Sequence, residues 1–291
     1  MSAVLTIAKA TVREASRKRL VLALAIITIV GIAVTGFGFW RLNTIAHEVV
    51  NGRPRLGPSE KKLVISQLLI FVMFAFSFVL AISTVFMAAP SIAGELESGV
   101  ALAVLTRPVR RIEVLAGKWL GLGVLATIYV TVASACEFIV VDLTTGYHPP
   151  HPIQFIVFLT AETLTALTLT TLISTRLSPV AGGVIALGGF MLAWMGGIAL
   201  AIGQVLNNHG IQDVGALTRL IMPSDGLWRG AIYALEPVSV IAGVLGSDRT
   251  QAAANPFFAA SAPATPYIVW AAFWGILVFG FAVGSFRRRE V

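Results

Sequence analysis

Charge is what this sequence has least of. Of 291 residues, 12% are Asp, Glu, Lys or Arg and 57% are hydrophobic, whereas an ordinary soluble domain carries about 25% charged residues. That scarcity excludes a soluble domain. With a mean hydropathy of +0.86, the chain reads as a polytopic membrane protein. Cysteine is also nearly missing. Cys136 stands alone in an apolar run, so no intrachain disulfide forms and the redox compartment is not encoded. Histidine is sparse and scattered. His148 and His151 bracket Pro149-Pro150, and His47 and His209 stand apart with no cysteine or acidic cluster nearby; this is a weak metal signal, and no metal site is expected. A cleaved leader is not expected either, because the first apolar run spans residues 20–40 without a small-residue cleavage site. The net charge of +7 does not imply a nucleic-acid partner here. It fits basic loops that face anionic lipid.

Long apolar runs are plentiful. A span needs about 20 apolar residues, and six segments qualify: 20–40, 63–92, 119–141, 153–175, 180–202 and 267–286. The expected fold is all-α, one transmembrane permease domain over 1–291. The second run is longer than a bilayer requires and is expected to tilt or to emerge near Pro90. Orientation follows from Lys and Arg. With the N-terminus inside, the inner segments hold thirteen (Lys9, Arg13, Arg17, Lys18, Arg19, Arg107, Arg110, Arg111, Lys118, Arg176, Arg287, Arg288 and Arg289). The outer segments hold eight (Arg41, Arg53, Arg55, Lys61, Lys62, Arg219, Arg229 and Arg249). Both termini are therefore expected in the cytoplasm of a cell-membrane protein.

Residues 1–19 read as an interfacial helix, with Val4, Ala8, Val12 and Ala15 on one face and Lys9, Arg13, Arg17 and Lys18 around the rest. A plain basic stop before the first span is the simpler alternative. Residues 203–266 read as a long outer loop with short helices. One of these begins near Pro223-Ser224-Asp225, capped by Ser224 or Asp225, and ends before Pro237. Its Trp228, Ile232 and Leu235 share a face that would rest on the spans or the outer leaflet.

The densest charge lies between the second and third spans. Residues 94–121 carry Glu95, Glu97, Arg107, Arg110, Arg111, Glu113 and Lys118. An apolar helical patch (Leu102, Val104, Leu105) runs into Pro108, which breaks the helix, and a second helix starts near Arg110. A short helix with charged flanks suits insertion into a groove on a partner. A solvated, positive-inside turn is the alternative.

This string resembles the first cytoplasmic loop of ABC transporter permeases of the type-2 exporter class. There an acidic-Gly segment precedes a leucine-rich stretch, an Arg/Tyr-Pro pair, a basic patch, and a Gly-Lys-aromatic-Leu-Gly run. The matching residues are Glu95, Glu97, Gly99, Leu105, Arg107, Pro108, Gly117, Lys118 and Gly121. The basic N-terminal helix, six spans, long last outer loop and Arg-rich end fit over most of the chain. Pro223-Ser224-Asp225 and Phe286-Arg287-Arg288-Arg289 look most like permeases related to the one that serves copper-site maturation of nitrous-oxide reductase. The resemblance implies that residues 93–118 form a coupling loop, with Glu95, Glu97, Leu102, Leu105, Arg107, Pro108 and Arg110 docked on a separate ATP-binding subunit. ATP and Mg would sit on that subunit and no cofactor on this chain. In keeping with this, no GxxxxGK[ST] phosphate cradle occurs in the sequence, so the chain is not expected to be an enzyme by itself. A second permease copy or homologue and membrane lipid complete the expected partners.

Two intramembrane features remain. Gly182, Ala186, Gly189, Ala193 and Gly196 form a small-residue seam on the fifth span. It reads either as packing within the chain or as a dimer or path face, and the resemblance favours the dimer, with Gly31 and Gly36 of the first span opposite. Glu162 lies near mid-depth, where a carboxyl is costly. It is a candidate polar site on a transport path or a packing acid among Thr160, Thr163 and Thr165. Glu137 is expected to be interfacial. An ATP-driven exporter is the leading reading. An ion- or proton-coupled carrier using Glu162, or a membrane scaffold that signals to an ATPase, are the rivals.

Overall fold

The structure, a computed structural model, describes residues 3–50, 53–94, 110–247 and 255–288. Helix α1 (Ala3–Ala15) precedes the first span, α2 (Arg19–His47). A two-residue antiparallel ribbon, β1 (Val49–Val50) with β2 (Arg53–Pro54), follows. The remaining spans are α3 (Pro58–Ala89), α4 (Arg111–Thr145), α5 (Pro152–Ser174), α6 (Pro179–Val205) and α10 (Thr265–Arg287). Between α6 and α10 lie three short helices, α7 (His209–Ile221), α8 (Ser224–Leu235) and α9 (Val238–Ser247). The six apolar runs thus become six helices long and apolar enough to cross a membrane. Pro58, Pro152, Pro179 and Pro266 start four of them, where a missing N–H costs nothing. Gly146, at φ 69°, closes α4 in the left-handed conformation. Helix α3 does not stop at Pro90 but widens into a π turn over Pro90–Gly94. Such a turn accommodates a residue with no N–H to donate.

Helix α5 is the hub and α2 the periphery. In their most apolar windows 56% of α5 residues are buried but only 11% of α2 residues. The buried threonines of α5 solve their own polarity: Thr163, Thr165, Thr168, Thr170 and Thr171 each donate to the carbonyl four residues back, so none of these five hydroxyls is orphaned. Helix α1 lies on α4. Gly117 and Gly121 form the saddle: a Cβ at Gly117 would meet Ile7 at 2.7 Å, and one at Gly121 would meet the Ala8 carbonyl at 2.7 Å. The apolar stripe of α1 therefore faces a span, with Thr11 and Ala15 buried and Lys9 and Arg13 exposed. The end of the bundle that carries α1 is called basal below, and the opposite end distal.

The stretch after α6 contains the short helices its pattern predicts, but two of them run deeper than an outer loop. The chain reverses at Leu206–Asn208, with Asn207 at φ 50° and Asn208 capping α7 through Ile211 N–H. Helix α7 then runs back along α6. A Cβ at Gly203 would meet Gln212 N at 2.8 Å, and one at Gly196 would meet Thr218 Cβ at 2.6 Å. Helix α8 returns distally with nearly every side chain buried against α3, α5 and α6. The pair is a re-entrant hairpin. Its tip, Met222–Asp225, lies beside Gly197, eight residues inside α6, or about 12 Å from the distal end at 1.5 Å per residue. Irregular backbone at such depth persists only where protein satisfies it. Three aromatics of α10 do so. Tyr267 Oη donates toward the carbonyls of Arg219 (3.3 Å) and Pro223 (3.2 Å), Trp270 Nε1 donates to Leu220 (3.1 Å), and Trp274 Nε1 donates to Ile221 (2.6 Å). Those of Arg219, Leu220 and Ile221 are carbonyls that the end of α7 leaves open.

Candidate functional site: the basal platform

The described residues on either side of 95–109 are held at two fixed points. On one side is the π turn, where Ser91, Ile92 and Ala93 are buried. Lys118 of α4, itself 7% exposed, donates from Nζ to the Ser91 carbonyl. On the other side is the start of α4. Glu113 reaches back to accept from the Arg110 N–H at 2.8 Å, a capping box that fixes the first turn. The adjacent Arg111 donates from Nη1 to the carbonyls of Phe286 (3.2 Å) and Arg287 (3.4 Å) at the end of α10. Arg176, in the turn between α5 and α6, donates to Ser285 Oγ (2.8 Å) and its carbonyl (3.3 Å). Two guanidiniums thus cap the negative end of α10. Beneath them Ile92, Leu115, Ala282 and Phe286 form one apolar cluster, and Ala15, Ala88, Leu122 and Leu167 form another. The ends that flank residues 95–109 are thus packed together with parts of α1, α3, α4 and α10.

Of the residues that sequence pattern assigns to docking, Arg110 is the exposed N-cap of α4. Glu95, Glu97, Leu102, Leu105, Arg107 and Pro108 lie outside the described residues. Gly117, Lys118 and Gly121, known at first only as motif positions, gain physical roles as the α1 saddle and the π-turn clasp.

The other candidates fall elsewhere. The seam on α6 faces its own chain. Gly182 lies beside Ser174, Gly189 beside Leu169 and Gly196 beside Thr218, while Ala186 and Ala193 are buried. Packing within the chain accounts for it, and Gly36 likewise faces Val140 of α4. Glu162 is 4% exposed and accepts from Ser77 Oγ at 3.0 Å, within electrostatic reach of Asp225. Asp225 does not cap α8, whose N-cap is Pro223 without a side-chain bond. It pairs instead with Arg219 (2.8 Å) and Arg229 (3.3 Å). Arg229 also donates to the Gly197 carbonyl at 3.1 Å, and Arg219 stacks on Tyr267 at 5.3 Å. Spacing alone concealed this cluster, because Arg219 and Asp225 read as charges of an exposed loop. Glu137 is not interfacial. Helix α4 continues to Thr145, and Glu137 is 3% exposed. His148 meets the nearby Asp142, at 3.1 Å on the surface. Among the described residues no group of three or more His, Cys, Asp or Glu side chains is placed to hold a metal.

Six spans and a re-entrant hairpin define a polytopic membrane protein. Over residues 5–291 the chain matches the family described as ABC-2 family transporter protein, and it belongs to that family. It is a membrane component of transport. No curated protein matches it.

Proposed function

We propose that this chain is the permease subunit of an ATP-driven exporter, and that residues 93–118 couple it to a separate ATP-binding subunit. The observation that carries the reading is the clamp at both ends of the connection: Lys118 on the π turn and Arg111 on the end of α10. A solvated turn needs no such mounting, whereas a loop that transmits force does. The basal face is the cytoplasmic one, since it gathers thirteen of the 21 basic residues. ATP and Mg belong to the partner, and the permease works as a pair with a second copy or homologue. The dimer contact needs a face other than the α6 seam, and the exposed stripe of α2 (Leu22, Ile29, Val34, Phe37) is open for it. The family match reaches the transporter class and not a copper-maturation role. Nor does it favour a secondary carrier built on Glu162. The experiment is copurification with an ATP-binding subunit followed by ATPase assay. Glu97→Ala and Arg107→Ala are expected to lower permease-stimulated hydrolysis about tenfold, with assembly of the complex retained. Full stimulation in both variants would overturn the assignment of the loop.

A further inference from the structure

A seam runs between α2, α3 and α4, and it contains two chambers. The basal one, about 50 Å³, is lined by Val21, Leu24, Leu80, Thr84, Leu122 and Tyr129. The distal one, about 240 Å³, is lined by Thr28, Gly31, Thr35, Phe71, Phe76 and Glu137 among others. Tyr129 faces the first and Thr28 the second, and their hydroxyls are hydrogen-bonded to each other. The Phe76 ring lies 6.0 Å from that of Tyr129. Tyr129, Thr28 and Phe76 are thus a partition between the two spaces.

Glu137 is the only carboxyl in either lining, and it is short of donors. Thr35 Oγ1 lies 3.1 Å from Oε2, but the Gly31 and Ile32 carbonyls lie 3.0 and 3.1 Å from the same hydroxyl. One hydroxyl proton serves three acceptors. Glu137 Oε1 is buried with no partner among the described residues. A buried carboxyl at membrane depth is costly and calls for a donor or a cation. The surrounding wall is largely apolar and includes the aromatic rings of Phe71 and Phe76. Access is lateral: a Cβ at Gly31 would meet nothing within 4 Å, and Ile27 (58% exposed) and Phe71 (56% exposed) flank the opening. A second cavity, about 590 Å³ between α4, α5 and α10, lacks these features. Its Thr165 and Thr168 hydroxyls are already engaged with backbone.

We propose that the distal chamber binds a small hydrophobic amine, which enters from the bilayer and donates an N–H to Glu137, and that the Tyr129–Thr28 pair closes the chamber toward the basal side. The chamber is smaller than the roughly 300–1,000 Å³ of drug-sized sites, so the ligand is compact. As the transporter's substrate class this rests on the permease reading above; as a binding site it stands alone.

The test uses the full chain in lipid nanodiscs, with 4-phenylbutylamine as probe, butylbenzene as its neutral counterpart and empty nanodiscs as the partition blank. Saturable binding of the amine is expected, with none for butylbenzene. Glu137→Gln should weaken amine binding about tenfold or more, the loss of one charge-assisted hydrogen bond. Gly31→Phe enters open space, so it should fold and abolish binding by filling the chamber. If Glu137→Gln fails to fold, Gly31→Phe decides. Absence of saturable amine binding, or equal affinity in wild type and either folded variant, overturns the proposal. The assay contains no ATPase, so its failure leaves the coupling reading standing, and loss of coupling in Glu97 and Arg107 variants leaves the chamber standing.

Discussion

Two arginines share one carboxylate at the hairpin tip, and this asymmetry sets what each substitution does. Asp225, 4% exposed, pairs with Arg219 and accepts from Arg229. Removing one partner of a buried ion pair costs about 3–5 kcal/mol, because the other charge is stranded in low dielectric. Asp225→Asn strands two guanidiniums at once. Arg229→Met leaves the 2.8 Å Arg219–Asp225 pair intact and keeps an apolar stem of similar length. The expected order of apparent melting temperature in detergent micelles is wild type, then Arg229→Met, then Asp225→Asn well below both. A variant order with Arg229→Met lowest would show that the bond to the Gly197 carbonyl, and not the carboxylate, holds the tip.

Helix α7 depends on glycine at its contact with α6. A Cβ at Gly215 would meet Leu200 N at 2.5 Å and the Gly196 carbonyl at 2.6 Å. These are backbone atoms that cannot swing aside, so even Gly215→Ala should pry the hairpin from the span and lower thermal stability. Gly188→Ala, on the same α6 but with nothing within 4 Å of the new methyl, should raise stability slightly, since alanine in a helix interior is better than glycine by about 0.5–1 kcal/mol. Thermal unfolding of the two variants side by side checks both signs. The same elements show what a sequence reveals and what it hides. Uninterrupted apolar runs made all six spans legible, because crossing a bilayer demands length and apolarity that nothing else in the chain imitates. The hairpin was legible only as short helices. Each arm is shorter than a span, and Arg219, Asp225 and Arg229 read as water-facing until the fold brings them together. Glu137 was misplaced for a similar reason: its hydroxyl partner, Thr35, is 102 residues away on another helix. The Gly117-Lys118-Trp119-Leu120-Gly121 run, by contrast, was legible as a pattern, although the saddle made by Gly117 and Gly121 needs the position of α1 to be understood.

At the scale of the molecule, the distal end is held by a junction that titrates. Glu236, just past α8, accepts from Gln67 of α3 at 3.1 Å and from the Ala259 N–H at 3.3 Å. Burial pushes its carboxyl up to about 8, against the pull of those two bonds. The unfolded chain loses this proton near 4.5, the ordinary value, and the folded protein keeps it. Stability therefore falls as pH rises from about 4.5 to about 8 and is level above that. Glu236→Gln should flatten this part of the profile, which melting curves collected across the window would reveal; an unchanged slope would place the titration elsewhere. Glu236 thus joins α3, the corner after α8 and the strand of coil that leads into α10, so the last connection of the chain is tied into the first half of the bundle.

The aromatic row on α10 carries a consequence for biosynthesis. Helices α7 and α8 leave the ribosome before Tyr267, Trp270 and Trp274, which donate to the carbonyls at the end of α7, exist. The hairpin is therefore expected to settle into the bundle only after the final span is inserted. Assembly is then expected to finish out of chain order, with the last helix as the keystone that admits an earlier segment.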